Sequence, residues 1–366
     1  MLILNNDEID SLLSMEASIN HLETAYGDLA RGRAINRPRT DLYHTDPELD
    51  TVYVFKTMEG GSLETGIVAL RLCSDVIRWE ERKGAIVKEK LPIAPGNKWV
   101  GLVLLFSTKT AEPLAMFPDG IVQVTRVAAT SAVAARYLAR EDSSTLGLIG
   151  SGWQARAHVR AMCAVRQIDK VNIYSLTKAN REAFAEEMQS EVNVPIIPVE
   201  NPEAALQGAD IAVAATNAIS QVIKPEWLRP GMHVTCIKDS ELAEDTIRGC
   251  DHIVIHERKW APENYINSLG ADKIEVHDPV AFLSGENKPS AEDLESPFWT
   301  TEPEIKDVVV GKAPSRTSDD EITCFINNIG TGIQFNALGA AVYREALAQG
   351  VGREIPTDWF LESVHN

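Results

Sequence analysis

The sequence predicts an α/β protein with a doubly wound parallel sheet and a separate α+β domain. Three observations lead to this fold class. Between residues 145 and 255, short apolar runs alternate with helical segments, as in a parallel sheet whose crossover connections are helices. The first of these runs ends in a glycine-rich turn that opens a helix. Before residue 120, the apolar runs are instead linked by hairpin-length turns, which favour an antiparallel or mixed sheet.

Length and composition limit the classes of protein. The chain has 366 residues, more than one ordinary core contains, so about two domains are expected. The formal net charge of −18 argues against nucleic acid and anionic membranes as partners, and any anionic ligand must then meet a local cluster of arginines. The five cysteines have no Cys-x-x-Cys spacing, and no metal-ligand cluster is apparent. With no secretory leader pattern and no apolar run approaching about 18 residues, we expect a cytoplasmic protein with free thiols.

The first 120 residues predict the α+β domain. A short strand at residues 2–4 precedes apolar residues at helical spacing, which predict one helix that ends near Ala30. Four strands are then predicted, at residues 52–57, 66–73, 100–106 and 114–117. We expect a glycine-rich turn at residues 59–62 between the first two strands and a hairpin between the last two.

Three arginines in or next to this domain require an explanation. Arg39 follows a helix-breaking proline, and its segment could be no more than a solvated basic loop. Arg71 lies inside the apolar run 67–72, where a charge is costly unless it is paired or binds a ligand. Arg126 lies at the N-terminal end of an alanine-rich helix predicted to reach residue 138, where the helix dipole disfavours a cation. We therefore expect an anion near Arg126, either a neighbouring carboxylate or a ligand.

The glycine-rich turn has the order of a dinucleotide site. The apolar run 146–149 leads directly into a G-x-G-x-x-A segment, and residues 157–164 continue as a helix. The first glycine makes the tight turn, the second lets the backbone approach a pyrophosphate, and the small third residue lets the helix pack against its strand. The helix N-terminus offers free N–H groups to the anion. We therefore predict a Rossmann-type sheet with cofactor contacts at Gly150, Gly152, Trp153, Gln154 and Ala155.

Further strands and helices follow the turn. Strands are predicted at residues 170–174, 195–198, 210–216, 233–237 and 252–255, and helices at residues 180–191 and 202–206. Residues 256–320 show little periodicity and contain acidic, proline-containing loops. A strand at residues 322–325 and a helix at residues 339–348 are expected to return to the first domain. His252 and His256 lie at strand spacing, so we interpret both as structural.

Several blocks together resemble the ornithine cyclodeaminase/mu-crystallin family over most of the chain. In chain order they are residues 38–40, 58–72 with the basic residue Arg71, 119–135, 147–155, and 208–216 followed by 228–234. The resemblance implies a homodimer, with a substrate-binding and dimerisation domain over residues 1–126 and 322–366 and an NAD(P)-binding Rossmann domain over residues 127–321. It also implies hydride transfer between the nicotinamide and the nitrogen-bearing carbon of a small amino or imino acid.

The resemblance assigns roles to the three arginines. Arg39 and Arg126 fall on the two family arginines that hold the substrate carboxylate, and a planar guanidinium suits that task. Arg71 stands at a catalytic position, where the family usually has a lysine that binds the carboxylate and, in some members, acts as an acid. Arginine keeps the charge but cannot readily give up a proton near neutral pH. We therefore expect carboxylate binding by Arg71 without proton donation.

The segment after the fifth Rossmann strand contains the candidate proton donor. In the cyclodeaminases an aspartate there is the catalytic acid. Here the loop is several residues shorter and Asp239 is the nearest candidate, although it could belong to a solvated acidic loop. The resemblance also includes Thr216 and Asn217, after the fourth strand, in the cofactor site. Near the C-terminus, residues 332–336 depart from a Glu-Asp pair that is common in the family.

The end of the second Rossmann strand distinguishes the two nicotinamide cofactors. A carboxylate there binds the ribose hydroxyls of NAD and repels a 2′-phosphate, but this chain has none before Glu182. The residues that could hold a phosphate are Ser175, Thr177, Lys178 and Arg181. Leu176 occupies the position where the NADP-type arginine of the family usually stands. NADP(H) is therefore favoured, and NAD(H) is the alternative.

These departures favour an imine or ketimine reductase, or an amino acid dehydrogenase, that acts on a small carboxylate-bearing substrate. A first alternative is an ornithine or lysine cyclodeaminase that recycles bound NAD and releases ammonia. The arginine at position 71 and the short loop at Asp239 argue against it. A second alternative is a protein that keeps the fold and binds NADPH without catalysis.

Overall fold

The computed structural model describes residues 1–45, 48, 51–82, 85–218, 220–267, 273–275 and 295–363. Within this part of the chain, the α-helices are α1 (Asn6–Leu12), α2 (Met15–Ala30), α3 (Gly120–Leu138), α4 (Trp153–Val165), α5 (Lys178–Val192), α6 (Pro202–Leu206), α7 (Glu244–Arg248), α8 (Ile305–Val309) and α9 (Gly332–Gln349). The strands are β1 (Leu2–Ile3), β2 (Ala34–Asn36), β3 (Thr40–Thr45), β4 (Val52–Ser62), β5 (Ile67–Arg82), β6 (Ala85–Leu91), β7 (Val100–Ser107), β8 (Pro113–Pro118), β9 (Thr145–Ile149), β10 (Lys170–Tyr174), β11 (Ile196–Pro198), β12 (Ile211–Ala214), β13 (His233–Cys236), β14 (His252–Ile255), β15 (Glu263–Ile266), β16 (Lys273–Glu275), β17 (Thr323–Ile326) and β18 (Arg353–Glu354).

The first sheet is mixed and has eleven strands. Its order is β16-β15-β3-β4-β5-β7-β8-β1-β18, with β2 paired to β4 and β6 to β5. The predicted hairpin of β7 and β8 is present, and β4 and β5 form a long antiparallel pair. Helix α9 packs on β4, β5 and β7, and α2 and α3 pack against α9. These contacts bury a shared apolar core that includes Leu105, Phe117 and Leu338.

Strand β4 runs through the glycine-rich segment that was predicted to be a turn. The chain instead turns at residues 63–66, after Ser62. A Cβ atom on Gly60 would lie 2.3 Å from the backbone nitrogen of Ile333, and one on Gly332 would lie 2.0 Å from the carbonyl carbon of Glu59. The glycines are therefore required by the close approach of β4 to the N-terminus of α9, and not by a turn.

The second sheet has seven strands and is parallel throughout. Its order is β11-β10-β9-β12-β13-β17-β14, so the chain runs outward in both directions from β9. Apolar side chains bury β9, β12, β13 and β17 along their whole lengths, as expected when helices cover both faces of a sheet. The prediction of a doubly wound α/β fold with an α+β part is confirmed.

Two segments lie in a sheet other than the predicted one. The strand predicted at residues 322–325 is β17, which lies between β13 and β14 in the parallel sheet and does not return to the first domain. Conversely, β15 lies within the span assigned to the Rossmann domain but pairs with β3 of the first sheet. The domain boundary predicted at residues 321–322 is therefore wrong, because only from α9 onward does the chain rejoin the first sheet. Residues 268–272 and 276–294 of the weakly patterned region lie outside the described residues.

Three helix boundaries also differ from the prediction. The single helix predicted before Ala30 is split into α1 and α2, because Ser14 has extended backbone angles and its hydroxyl accepts a hydrogen bond from the backbone N–H of Ala17 (3.2 Å). Helix α3 begins at Gly120, so Arg126 lies in its second turn, and α9 begins at Gly332. No helix in the described ranges is long and apolar enough to cross a membrane.

Candidate functional site

The glycine turn lies at the carboxyl end of β9 and has room for a pyrophosphate. Gly150 has a φ of +119°, and a Cβ atom there would lie 2.1 Å from the carbonyl oxygen of Ala215. At Gly152, by contrast, no heavy atom of the described residues lies within 4 Å of an added Cβ, so the space in front of the backbone is open in this part of the structure. Ala155 is fully buried between α4 and the sheet. The three small residues are thus placed as a dinucleotide-binding turn requires, and their contacts with a cofactor stay a prediction.

The remaining predicted residues of this turn begin helix α4. Among the residues that the structure describes, no side chain caps the N-terminus of α4, so its first N–H groups can meet an anion. Trp153 is 69% exposed, whereas the buried Oε1 atom of Gln154 has no hydrogen-bond partner among the described residues. The open N-terminus, the close-packed Gly150 and the open space at Gly152 fit the diphosphate of a dinucleotide.

Arg156 stabilises the turn, a role that the sequence analysis missed. Its Nη1 donates a hydrogen bond to the carbonyl oxygen of Ser151 (2.6 Å), and its Nε and Nη2 bind both oxygens of Glu187 on α5 (2.8 and 2.6 Å). The guanidinium also lies over the ring of Phe184. A cation in the first turn of α4 was the one available signal, since the helix dipole alone disfavours it there.

The loop after β10 presents the side chains predicted to hold the 2′-phosphate. Thr177 and Lys178 are exposed, and no side chain in the described part of the chain caps the N-terminus of α5. Arg181 does not belong to this group. Its buried guanidinium instead donates to the carbonyl oxygen of Ser175 (3.1 Å) and to the carboxylate of Glu200 (2.6 Å), so it supports the loop from behind.

Glu241 is a buried carboxylate that joins the loops after β12 and β13. It accepts hydrogen bonds from four donors, namely Thr216 N (2.7 Å), Thr216 Oγ1 (2.6 Å), Ile237 N (3.0 Å) and Lys238 N (3.2 Å). Lys238 Nζ adds a hydrogen bond to the carbonyl oxygen of Ala218 (2.7 Å). Burial raises the pKa of Glu241, and the hydrogen bonds from Thr216 and Ile237 oppose that rise. The two loops are therefore held together as one surface beside the glycine turn.

This surface contains three of the predicted site residues. Thr216 approaches the turn, since an added Cβ on Gly150 would lie 3.4 Å from its Cγ2 atom. Asn217 follows it and is exposed. Asp239 opens the 3-10 turn Asp239–Glu241, and its side chain is half-buried. The structure thus brings the candidate acid to the same edge of the sheet as the cofactor residues, while its catalytic role stays a prediction.

Two of the three predicted arginines are paired with carboxylates. Arg71 on β5 is buried, and its Nε and Nη2 atoms lie 2.8 and 2.7 Å from Oδ2 of Asp119. Its Nη2 also donates to Sγ of Cys73 (2.9 Å). Arg39 forms a two-fold hydrogen bond with Asp41, at 2.8 and 2.6 Å, and Asp41 is fully buried. The charge that is costly inside the run 67–72 is therefore neutralised by Asp119.

Arg126 is different, because no carboxylate of the described residues pairs with it. Its Nη1 donates to Oε1 of Gln334 (3.0 Å), its Nε has no partner in the described chain, and the side chain is almost completely buried. Burial and the nearby charge of Arg71 lower the pKa of Arg126 to about 9. Of the two anions considered for Arg126, a carboxylate partner is absent from the described residues, because the nearby Asp119 is paired with Arg71. Burying a cation without an anionic partner costs free energy, and a bound anion would lower that cost.

Phe335 brings the arginines together. The guanidinium groups of Arg71 and Arg126 lie 5.5 and 5.6 Å from the centre of its ring, so both contact the same side chain. Arg39 is close enough for its charge also to lower the pKa of Arg126. Residues 332–336 depart from the family pattern in the sequence, but nothing in that pattern predicts this contact.

A buried polar network fixes Arg126 through Gln334. The amide nitrogen of Gln334 donates to the hydroxyls of Thr130 (2.7 Å) and Tyr26 (3.1 Å). The Tyr26 hydroxyl is also hydrogen-bonded to Nε2 of His256 (3.1 Å), whose Nδ1 binds the carbonyl oxygen of Ile329 (2.5 Å). Burial lowers the pKa of His256 to about 4, so this histidine is neutral and orders its neighbours.

A small cavity, of about 50 Å³, adjoins Arg39. It lies between the segment before β3 and the loops that follow β14 and β17, and it is lined by Asn36, Pro38, Arg39, Glu257, Lys259, Ile329, Gly330 and Thr331. Gly330 separates it from the unpaired arginine, since an added Cβ on Gly330 would lie 2.7 Å from both terminal nitrogens of Arg126. The predicted arginines thus surround one region at the junction of the two sheets.

The segment that carries Arg126, the glycine turn and Glu257 also identifies the family. Residues 92–350 match the sequence model of the ornithine cyclodeaminase/mu-crystallin family. The chain belongs to this family. The resemblance drawn from the motifs is therefore confirmed.

Curated relatives and solved structures resemble the chain along nearly its whole length. The Δ1-pyrroline-2-carboxylate reductase of a Bacillus cereus strain is 27% identical over 361 residues, which cover 97% of this chain and 99% of the relative. The structure of the Thermococcus litoralis Δ1-pyrroline-2-carboxylate reductase in complex with NADH and L-proline has a TM-score of 0.74 and 26% identity, and covers 97% of this chain and 100% of its own. An archaeal alanine dehydrogenase dimer with bound NAD has a TM-score of 0.71 and 25% identity, with coverage of 97% and 99%. The predicted class, a nicotinamide-dependent oxidoreductase of this family, is confirmed by these relatives.

Proposed function

We propose that this family member reduces the carbon–nitrogen double bond of a small cyclic imino acid with NADPH or NADH. The observation that carries the proposal is Arg126, a buried guanidinium without a carboxylate partner in the described chain. A substrate carboxylate would supply the missing anion and convert an unfavourable buried charge into a charge-assisted hydrogen bond. The reductase relatives support the imino acid class, since one is a complex with L-proline, the product of reducing Δ1-pyrroline-2-carboxylate.

The three arginines would bind and orient the substrate. Arg126 would face the carboxylate as the cation without a carboxylate partner in the described chain, while Arg71 and Arg39 are held in place beside it by Asp119 and Asp41. The ring of Phe335 contacts the two buried guanidinium groups and helps to hold them in place. When bound, the nicotinamide supplies the hydride for the carbon that bears nitrogen. Holding the substrate carboxylate in place would fix the distance between that carbon and the nicotinamide. Such positioning accounts for a large part of catalysis in two-substrate reactions.

The cofactor would be held along the edge formed by the glycine turn and the loops after β10, β12 and β13. Gly150, Gly152 and the N-terminus of α4 fit the diphosphate, and Thr216 and Asn217 lie beside it. We propose a preference for NADPH, because the loop after β10 presents Thr177, Lys178 and the uncapped N-terminus of α5 to the position of a 2′-phosphate.

We also propose a homodimer joined through the first sheet. Ile35 and Leu63 are 75% and 77% exposed, and with Val68 they line an apolar hollow on the outer face of β2, β4 and β5. Such a patch on a globular surface favours a protein contact, and a two-fold dimer would bury it against its own copy. The dimeric state of the archaeal alanine dehydrogenase structure supports this arrangement. A cytoplasmic location stays a prediction.

One assay distinguishes the candidate functions. The protein is mixed with NADPH or NADH and Δ1-pyrroline-2-carboxylate, and the loss of reduced nicotinamide and the formation of L-proline are followed together. We expect equal amounts of both and no ammonia. Ammonia released from ornithine without net change in the nicotinamide would instead indicate a cyclodeaminase. Tight NADPH binding without turnover of cyclic imines, or of small keto acids with ammonia, would indicate a non-catalytic protein and would contradict the proposal.

A further inference from the structure

The cavity beside Arg39 contains an acidic side chain that the sequence analysis did not select. Glu257 follows β14 and lines this cavity together with Arg39 and Thr331. Asn328, in the loop after β17, fixes its backbone through two hydrogen bonds, from Glu257 N to Oδ1 (3.3 Å) and from Nδ2 to Glu257 O (2.8 Å). The carboxyl is thus held at the junction of the two sheets by a pairing of neighbouring loops.

A second carboxylate behind Glu257 determines which of the two carries a proton. The side chain of Glu257 is hydrogen-bonded to that of Glu304 at the start of α8. Lys306 Nζ lies 2.6 Å from Glu304, and the backbone N–H of Arg258 donates to Glu304 as well (2.9 Å). These donors stabilise the ionised form of Glu304. Because two carboxylates in contact cannot both be ionised cheaply, the shared proton resides on Glu257, on the cavity side.

The ionisation of both groups follows from these contacts. Burial and the adjacent Glu304 raise the pKa of Glu257 to about 7. Burial alone would raise the pKa of Glu304 too, but its hydrogen bonds with Glu257 and Lys306 outweigh burial and lower it. With a pKa of about 7, the Glu257 carboxyl can both hold and release a proton in the neutral pH range.

Two unpartnered polar groups next to the cavity indicate that it receives a ligand. The hydroxyl of Thr331, which lines the cavity, is buried and has no hydrogen-bond partner in the described chain. On the other side of Gly330, Nε of Arg126 is also buried and unpartnered among the described residues. Buried polar atoms of this kind are uncommon in folded proteins, and a bound polar molecule would satisfy both.

We propose that Glu257 is the proton donor of the reaction, facing the nitrogen of a substrate whose carboxylate is held by Arg39 and Arg126. This inference rests on the proposed imine reduction, and in it Glu257 takes the place of Asp239 as the catalytic acid. In the reductive direction, the hydride from the reduced nicotinamide forms a C–H bond at the imine carbon. The electron pair of the C=N π bond takes the carboxyl proton of Glu257 and becomes an N–H bond. The imine is reduced, the nicotinamide is oxidised, and the Glu257 carboxylate recovers its proton from water.

The pH dependence follows from the groups around Glu257. The charged or titratable groups that face it are Glu304, Lys306, Lys259, Arg39 and Tyr26. Reduction requires protonated Glu257, so kcat should fall as pH rises through about 7, and kcat for the reverse oxidation should rise over the same interval. Glu304→Gln removes the neighbouring negative charge, which lowers the pKa of Glu257 and moves the loss of reductive kcat to lower pH.

The decisive variant is Glu257→Gln. Glutamine keeps the shape of the side chain and can still hydrogen-bond Glu304, but its amide cannot donate a proton near neutral pH. We expect kcat for cyclic imine reduction to fall by about 100-fold or more, with NADPH affinity unchanged within about two-fold. Glu226→Gln, on the exposed surface, is the matched control and should leave kcat unchanged. An infrared pH titration of the cofactor-free protein should show a carboxyl that titrates near pH 7 in the wild type and is missing in Glu257→Gln.

The outcomes separate this inference from the function on which it rests. Wild-type protein that consumes no reduced nicotinamide with any cyclic imine contradicts the proposed function, and this inference with it. An active wild type with an equally active Glu257→Gln variant overturns the inference alone. The inference is also overturned if Glu304→Gln does not change the pH dependence of kcat. It is overturned as well if the fall of kcat at high pH disappears in Asp239→Asn but persists in Glu257→Gln. A kcat loss in Glu257→Gln together with a shifted limb in Glu304→Gln supports it.

Discussion

At the scale of single residues, the candidate site is defined by which charges are paired. Arg71 and Arg39 lie in the same region as Arg126 and are chemically identical to it, yet each has a carboxylate partner. Arg126 has an amide partner and an aromatic ring, neither of which neutralises it. The difference turns one structural cation into the group with the greatest gain from an anionic ligand.

Exchanging these arginines for glutamine should separate binding from stability. Arg126→Gln removes an uncompensated buried charge, so the thermal midpoint of the ligand-free protein should stay the same or rise. The same change should lower kcat/KM for a carboxylate substrate by about 10- to 100-fold, the value of a charge-assisted hydrogen bond. Arg71→Gln is the comparison, since it leaves Asp119 buried without its cation and should cost about 3–5 kcal/mol of folding free energy. Thermal unfolding and steady-state kinetics on both variants provide the test, and a strongly destabilised Arg126→Gln would contradict the interpretation.

At the scale of elements, the loops that follow the parallel strands form the edge where we propose that the cofactor binds, and buried side chains fix these loops. Arg156 holds the glycine turn to α5, and Arg181 holds the loop after β10 from behind. Glu241 ties the loops after β12 and β13 to each other. Loops are otherwise the least constrained parts of a fold, so these contacts preorganise the site.

Glu241→Gln tests the role of the buried carboxylate. Glutamine offers one acceptor where glutamate has two, and its amide N–H₂ would face the N–H groups of Ile237 and Lys238 or the donors of Thr216. We expect a loss of about 1–3 kcal/mol in stability and a several-fold higher KM for the cofactor, with a smaller effect on kcat. Chemical denaturation and cofactor titration measure the two effects. Glu244→Gln, on the exposed surface of α7, is the control; equal effects in both variants would remove Glu241 from this role.

The loop after β10 allows a prediction about cofactor choice. Ser175→Asp introduces the carboxylate that this loop lacks, at the end of β10, where it would repel a 2′-phosphate and bind ribose hydroxyls. We expect the ratio of kcat/KM for NADPH to that for NADH to fall by about 10-fold or more. Lys178→Ala should lower kcat/KM for NADPH while NADH is little affected. A wild type that uses NADH as well as or better than NADPH would contradict the proposed preference.

At the scale of the whole molecule, the candidate site lies where the chain passes from the second sheet to the first. α9 rests on β4 and β5 of the first sheet, and the loop that leads into α9 comes from β17 of the second. Gln334 and Phe335 therefore couple the first sheet to the arginines, and Gly60 and Gly332 permit the close contact that positions them. The site is a property of this junction and of neither sheet alone.

The outer face of the first sheet leads to a prediction about assembly. Ile35→Asp combined with Leu63→Asp places two charges in the exposed apolar hollow. If a two-fold dimer buries this face, each substitution places a charge in the interface from both subunits. Association should then weaken by several orders of magnitude. Sedimentation analysis should show twice the chain mass for the wild type and a single chain for the variant. A monomeric wild type, or a variant that stays dimeric, would contradict the proposed interface.

Periodicity and turn chemistry were sufficient to predict most of the parallel sheet, because its apolar strands and helices are local patterns. They did not predict strand order where it depends on contacts between distant segments. Strand β17 comes after β14 along the chain, yet it inserts between β13 and β14. Strand β15 lies deep in the Rossmann span and still pairs with β3. Strand partners are chosen by long-range packing, which hydrophobic spacing does not encode.

The sequence by itself determined the fold class, the glycine turn at residues 150–155, the family and the three arginines, since each depends on residue type and order along a short stretch. The tertiary structure alone decided which arginine lacks a carboxylate. It also placed Glu257 against Glu304 and Glu241 against the donors of two loops. The reason is that pairing of charges depends on contacts between distant segments. Arg71 meets Asp119 across 48 positions and Arg126 meets Gln334 across 208, and no local pattern fixes such distances.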